Sequence, residues 1–268
     1  MKEYKYVITT GWWCKNLEQK DMRDVLLGDD EIRSKDFFLS WLAAVNKFTY
    51  PKKILIVDSA SPIKPDLSCN DKILEIVSLD CNAGHSTNHL GKYAGVTRAH
   101  MMGMMYALTC EVDYWVYIEQ DALIYGDGIV EYCIEHMKNG IMFGDGKGTP
   151  QPMQQSFMIM KTEEIPQFIK KLTDIKLTDN EISPEMKFAL ASSKYINLLP
   201  IFLLSKLNSK RSYMIIIKLF LMLTSRFDKL PIGYGRTRPI DFKDKFFYFQ
   251  HGCKKELNVY FGLKKSEN

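Results

Sequence analysis

The stretch Tyr114-Trp-Val-Tyr-Ile-Glu-Gln-Asp-Ala-Leu-Ile-Tyr125 constrains the fold more than any other part of the chain. Apolar, aromatic and β-branched residues run straight into Glu119-Gln120-Asp121, and a second apolar run follows. An unbroken run of this kind suits a strand covered on both faces, as in a parallel sheet flanked by helices. Charge is costly inside such a strand, so the two carboxylates mark the point where the chain reaches the sheet edge. Open α/β sheets hold their ligands beyond the carboxyl ends of their strands. Two acids separated by one residue at that place suit a hard divalent cation that also grips phosphate oxygens.

The rest of the chain repeats the alternation. Strands are expected over Tyr4–Thr10, Lys53–Asp58, Ile73–Leu79, Tyr114–Ile118, Gly140–Gly144, Ser156–Lys161 and the aromatic Phe246–Phe249. Helices are expected over Asp36–Phe48, Val96–Leu108, Gly128–Lys138, Ile165–Leu172 and Pro184–Ser193, where apolar residues recur at helical spacing. Gly144–Pro152 reads as a loop. Strands alternating with helices argue for an α/β domain with a mostly parallel central sheet flanked by helices. No repeat or low-complexity linker divides the 268 residues, which suit one domain.

Composition narrows the function. The formal net charge is +4, too mild for a nucleic-acid-binding protein, and there is no long basic arm. The six cysteines are scattered without a Cys-x-x-Cys pair, as expected of free thiols in a reducing compartment. The amino terminus enters a strand without the apolar core of a signal peptide, and no run reaches membrane-spanning length. A cytoplasmic protein is expected. Residues 195–226 mix apolar runs with Lys206, Lys210, Arg211, Lys218 and Arg226. They read either as core helices or as an interfacial surface against an anionic membrane.

Several strand ends carry small or polar residues that would converge on one crevice. Asp58 suits a hydrogen bond to a base or ribose, or else a Ser-Pro turn. Asn82-Ala-Gly84 allows a tight backbone turn beside a ligand. Arg98, on the following helix, offers its charge to a diphosphate or to solvent. Gly233-Tyr-Gly-Arg-Thr-Arg238 reads as a mobile lid with two arginines for a leaving diphosphate, or as a basic surface loop. Trp12 or Trp13 would stack on a base or sugar, or pack in the core. His85 and His89 are spaced like helical zinc ligands but lack a nearby third, so they read as a loop near substrate.

The ordered set of a strand ending at Asp58, then Asn82-x-Gly84, then Arg98 with Gly103 and Ala107, then a strand into Glu119-Gln120-Asp121, resembles the family-2 glycosyltransferases. The resemblance covers about the first 125 residues and implies their type-A, nucleotide-diphospho-sugar transferase fold, with a C-terminal helical and aromatic-strand extension. It implies a nucleotide-sugar-binding half over 1–125 and an acceptor half over 126–268. It implies nucleotide contact at Thr9 or Thr10 and at Asp58, and diphosphate or sugar contact at Arg98, beside which Asn82, Gly84, Gln120, Arg236 and Arg238 are further candidates for donor contact. It implies a metal held by Glu119, Asp121 and a late histidine, His251. Glu119 departs from the family's usual Asp, which puts more weight on Asp121. A histidine ligand favours Mn²⁺ over Mg²⁺, which prefers oxygen.

An inverting transfer needs a general base, for which Asp145, Asp179, Glu181 and Glu185 are the candidates. The resemblance favours Glu185, at a helix start, although a helix dipole also explains a first-turn acid. The implied partners are a nucleoside-diphosphate sugar and a glycan or lipid-linked acceptor, as in surface polysaccharide synthesis. Two competitors remain: a nucleotidyltransferase that makes sugar nucleotides, and a non-catalytic, membrane-associated binding protein on the same fold. The first normally carries a glycine-rich basic loop after its first strand, of which Gly11-Trp-Trp-Cys-Lys15 is a poor version.

Overall fold

The computed structural model describes residues 3–15, 27–67, 73–89, 91–196 and 211–266. Seven strands form the main sheet in the order β3-β2-β1-β4-β7-β6-β8. These are β1 (Tyr6–Trp12), β2 (Lys53–Asp58), β3 (Leu74–Ser78), β4 (Tyr114–Ile118), β6 (Ile141–Asp145), β7 (Met153–Lys161) and β8 (Asp228–Lys229). The first four are mutually parallel, and β7 runs antiparallel to both β4 and β6. A second, three-stranded sheet joins β5 (Ala122–Tyr125), β10 (Phe247–Gln250) and β9 (Gly233–Gly235). The mostly parallel, helix-covered sheet expected from the alternation is therefore present.

Strand residues alternate between two cores, because successive side chains leave opposite faces of a pleated sheet. Tyr6, Ile8, Val116 and Ile118 pack on one face with α1 (Lys35–Phe48), α3 (Ile129–Glu135) and Tyr260 of α7 (Lys254–Ser266). Val7, Trp115 and Tyr117 pack on the other with α2 (Gly95–Thr109), α4 (Ile165–Asp174), α5 (Pro184–Ser192) and α6 (Arg211–Thr224). The sequence carries the helix signals too. The Ser34 hydroxyl accepts from Phe37 N at 3.2 Å and caps α1, whose Phe37, Phe38, Trp41, Leu42 and Val45 are all buried. Gly103 lets α2 lie close on the sheet, since a Cβ there would stand 2.4 Å from Thr9 Oγ1.

Several boundaries differ from those expected, and the helix expected over Gly128–Lys138 spans only Ile129–Glu135. β1 runs to Trp12 rather than Thr10, because Gly11 and Trp12 continue the pairing with Val57 and Asp58. β7 begins at Met153, since Met153 and Gln154 pair with Asp145 and Gly144 beyond a register shift after Phe143. Residues 197–210 of the mixed apolar and basic stretch lie outside the described residues. Among the described residues, no helix is long and apolar enough to cross a membrane. The described cysteines are free thiols.

Candidate active site

Strand order places the site. The chain passes from β1 outward to β2 and β3, then returns to the other side of β1 as β4. Such a reversal opens a crevice at the carboxyl ends of the two central strands. A cavity of about 470 Å³ lies there, lined among others by Trp13, Arg33, Asn82, Gly84, Glu119 and Asp121. Gln120 stitches the two strand ends together: its Oε1 accepts from Trp13 N at 2.7 Å and its Nε2 donates to Trp13 O at 3.0 Å. Beneath the cavity, the Tyr117 hydroxyl accepts from Gly11 N at 3.3 Å, and the His100 ring stacks on Tyr117 at 3.7 Å. Burial pulls the His100 imidazole down to about 4, so this layer is neutral at physiological pH.

The carboxylates sit in a cluster that the small sheet assembles. β5 starts directly after Asp121 and pairs antiparallel with β10, Ala122 opposite Gln250. That register sets Asp121 beside His251. Gln250, 2% exposed, donates through Nε2 to Glu119 Oε2 at 2.7 Å and to Asp121 Oδ1 at 3.1 Å. Its Oε1 accepts from Arg236 Nε at 3.3 Å. His251 Nε2 lies 3.3 Å from Asp121 Oδ2. Burial by itself pushes the Asp121 carboxyl up, but His251, Arg33 and Gln250 together hold it below the usual aspartate range. It is therefore ionised at neutral pH.

The donor set can be tested against the expected cation. Two buried or half-buried carboxylates facing a cavity suit a hard divalent ion. The 3.3 Å from Asp121 to His251 is also close to the ~3 Å between neighbouring ligands on an octahedral ion with bonds of about 2.1 Å. However, among the described residues no three acidic, histidine or cysteine side chains already surround one point. A ligating histidine normally donates its other ring N–H to an acceptor. His251 Nδ1 is buried without one. His251 thus fits better with its proton on Nε2, donating to Asp121, than as a ligand. The carboxylate pair fits a cation, and the reason to prefer Mn²⁺ over Mg²⁺ weakens with the imidazole.

The other expected residues divide. Asn82 and Gly84 line the cavity, with Gly84 at φ +83° and its N–H donating to Asn82 Oδ1 at 2.9 Å. His85 lies in a loop and lines the cavity too. Of the two tryptophans, Trp12 is 2% exposed and packs edge-on against Phe38, whereas Trp13 is half-buried on the cavity wall. Thr9 and Thr10 are corrections: both are fully buried inside β1, and Thr9 Oγ1 accepts from Trp115 Nε1 at 2.8 Å. Asp58 takes the turn reading. Its oxygens accept from Ser61 N at 3.0 Å and Ser78 Oγ at 2.8 Å and pair with Lys64. Gln120 spends its amide on Trp13's backbone rather than offering it to a donor.

Arg98 sits in the first turn of α2, donates to Tyr93 O at 3.2 Å, and does not line the cavity. Arg236 reaches the cluster only through Gln250. Arg238 is no lid residue. Its guanidinium pairs with Glu256 and donates to Gln250 O at 2.9 Å and Gly235 O at 3.1 Å. The base candidates fall elsewhere. Glu185 and Asp145 do not line the cavity, and Asp145 pairs with Lys229 at 3.0 Å. Asp179 is buried against Lys187 at 2.6 Å and accepts from Ala94 N and Thr97 Oγ1, each at 2.7 Å. Glu181 accepts from Thr178 N at 2.7 Å. Two residues escaped the sequence reading. Gln250 had no signal except its place before His251, and Arg33 lies in a short 3₁₀ turn, Asp30–Arg33, outside any motif.

No family model matches the sequence, and no curated protein is similar to it. Among solved structures, the chain is similar to TarS 1–349 of S. aureus in complex with UDP, with 13% identity and a TM-score of 0.44 over 91% of this chain and 60% of that one. It is also similar to the glycosyltransferase GlyE of Streptococcus pneumoniae TIGR4, with 10% identity and a TM-score of 0.41 over 86% of this chain and 46% of that one. The chain thus spans under two thirds of either. The fold described above rests on strand order and register, not on these likenesses.

Proposed function

We propose that the chain is a glycosyltransferase that takes a sugar from a nucleoside-diphosphate sugar in the β1/β4 crevice and passes it to a glycan or lipid-linked acceptor, as in surface polysaccharide synthesis. One observation carries this reading: a hydrogen-bonded carboxylate pair opens into a cavity of about 470 Å³ at the topological switch point. Trp13 offers a face on which a base stacks, while Arg33 offers charge to a diphosphate. Gly84 leaves room for backbone to approach the donor. A Mn²⁺ or Mg²⁺ ion held by Asp121 and Glu119 supplies, when bound, a charge that offsets the departing diphosphate. Gln250 and His251 orient Asp121 for that task. In an inverting course the base comes from the cavity wall, where His85 is exposed.

The test is a panel of nucleoside-diphosphate sugars with and without Mn²⁺, reading nucleoside-diphosphate release. Asp121→Asn should lower the rate at least about 100-fold, the scale of removing one preorganised electrostatic group. Unchanged turnover in that variant would remove Asp121 from the site. Pyrophosphate release from a nucleoside triphosphate and a sugar phosphate would favour the nucleotidyltransferase instead. Thermal stabilisation by the sugar nucleotide without turnover would favour a binding protein.

A further inference from the structure

A second cavity, of about 340 Å³, opens at the opposite edge of the sheet. Tyr114, the first residue of β4, pairs with Lys161, the last of β7, and Lys161 lines this cavity. The carboxylate site lies beyond the other end of the same strand. Five residues at about 3.3 Å each separate the two by roughly 16 Å. The second cavity is lined by five cations, Lys138, Lys161, Lys171, Lys194 and Arg226, and one carboxylate, Glu164. Its excess of four equals the formal charge of the whole chain, so the remainder is balanced overall.

These cations come from separate parts of the chain and are held together by the fold. Ser193 bridges Ser225, and Arg226 N donates to Ser192 O at 3.3 Å, which brings the chain at Lys194 beside the chain at Arg226. Lys171 donates to Ser193 O at 2.9 Å from α4. Neighbouring acids neutralise little of this charge. Glu163 pairs with Lys161 at 3.4 Å, and Asp228 accepts from the backbone of Lys138 and Asn139. Among the described residues, no carboxylate forms an ion pair with Lys138, Lys194 or Arg226. Cations of this kind around one cavity, outnumbering the acids beside them, suit a multiply charged anion, and ammonium groups bind phosphate as point charges.

A second observation adjoins the first. α6 ends two residues before Arg226, and it exposes Ile215, Ile216, Leu219, Met222 and Leu223 while burying Ile217 and Leu221. The exposed set recurs at helical spacing, so an apolar face runs toward the rim of a cationic cavity. We propose that this cavity is a second anion site, remote from the sugar-nucleotide crevice, that takes a phosphate-bearing group, either free or as the headgroup of an anionic lipid.

The test uses the full chain in metal-free buffer without nucleotide, and so does not depend on the proposed transfer reaction. Inorganic pyrophosphate is titrated calorimetrically, and co-sedimentation is measured with phosphatidylglycerol and with phosphatidylcholine vesicles. K194E/R226E should weaken binding at least about tenfold, and raising NaCl from about 50 to 500 mM should do the same. K194Q/R226Q, a milder change, should show a smaller loss with an unchanged circular dichroism spectrum. Sedimentation with anionic vesicles alone, competed by pyrophosphate, identifies a headgroup. Pyrophosphate binding without sedimentation identifies a soluble phosphate. Binding of neither, or full binding retained by K194E/R226E, overturns the proposal.

Discussion

Gln250→Met tests the assembly of the carboxylate cluster most directly. Methionine has nearly the same length and volume but no amide, so the fold around β10 should persist while three hydrogen bonds vanish, the longest of them from Arg236 Nε at 3.3 Å. The two that bear on the carboxylates run from one buried Nε2 to Glu119 at 2.7 Å and Asp121 at 3.1 Å. A hydrogen bond to a charged group contributes about 1.5–3 kcal/mol. Water can reach the half-buried Glu119, so its share is discounted. The expected loss is then about 2–4 kcal/mol at pH 7, read by urea unfolding. The pH dependence follows from the Asp121 carboxyl, which the fold holds below its ordinary 3.8. A depressed carboxyl contributes stability above its unfolded value and loses that contribution as pH falls through the folded one. The gap between wild type and variant should therefore be full above about pH 5 and shrink as the solution is acidified below about pH 4. A gap under about 0.5 kcal/mol at pH 7, or one that stays constant down to pH 3, would refute the ionised Asp121 and its amide bridge.

Two further outcomes are expected. Trp13→Ala should weaken nucleotide binding by about 1–3 kcal/mol in calorimetry, the range for a lost base-stacking ring, while Tm changes little because Gln120 holds the Trp13 backbone rather than its ring; unaltered affinity would take Trp13 out of the donor site. Asp179→Asn leaves the Lys187 ammonium buried without its counter-charge and should cost about 3–5 kcal/mol in urea unfolding, with Lys187→Met in the same chain recovering part of it.

Much of the fold is legible locally. The charge-terminated run at Tyr114–Asp121, the helix periodicity after Asp36 with Ser34 as its cap, and the aromatic strand before His251 each declare themselves within a few residues. The site is legible only in part. Glu119, Asp121, Asn82, Gly84 and Trp13 reach the cavity because strand ends and a glycine turn mark a sheet edge. Thr9, Thr10 and Asp58 misled because short polar residues at a strand end serve two uses. They can face a ligand, or they can close hydrogen bonds within the protein, as Thr9 does with Trp115 and Asp58 does with Ser61, Ser78 and Lys64. Arg238 misled for a similar reason: glycines beside it suggest mobility, but Glu256 on α7 fixes its guanidinium.

The sequence by itself determined that a helix-covered, mostly parallel sheet would end one strand in a carboxylate pair, since apolar periodicity and the cost of buried charge act within a single segment. Tertiary structure alone decided what surrounds that pair. The antiparallel register of β5 with β10 brings Gln250 and His251 to Asp121 across 129 and 130 positions of sequence. The same kind of contact between distant residues holds Asp179 and Arg238 away from the roles their residue types suggest. Register between distant strands follows from how both cores fill at once, and no local pattern encodes it.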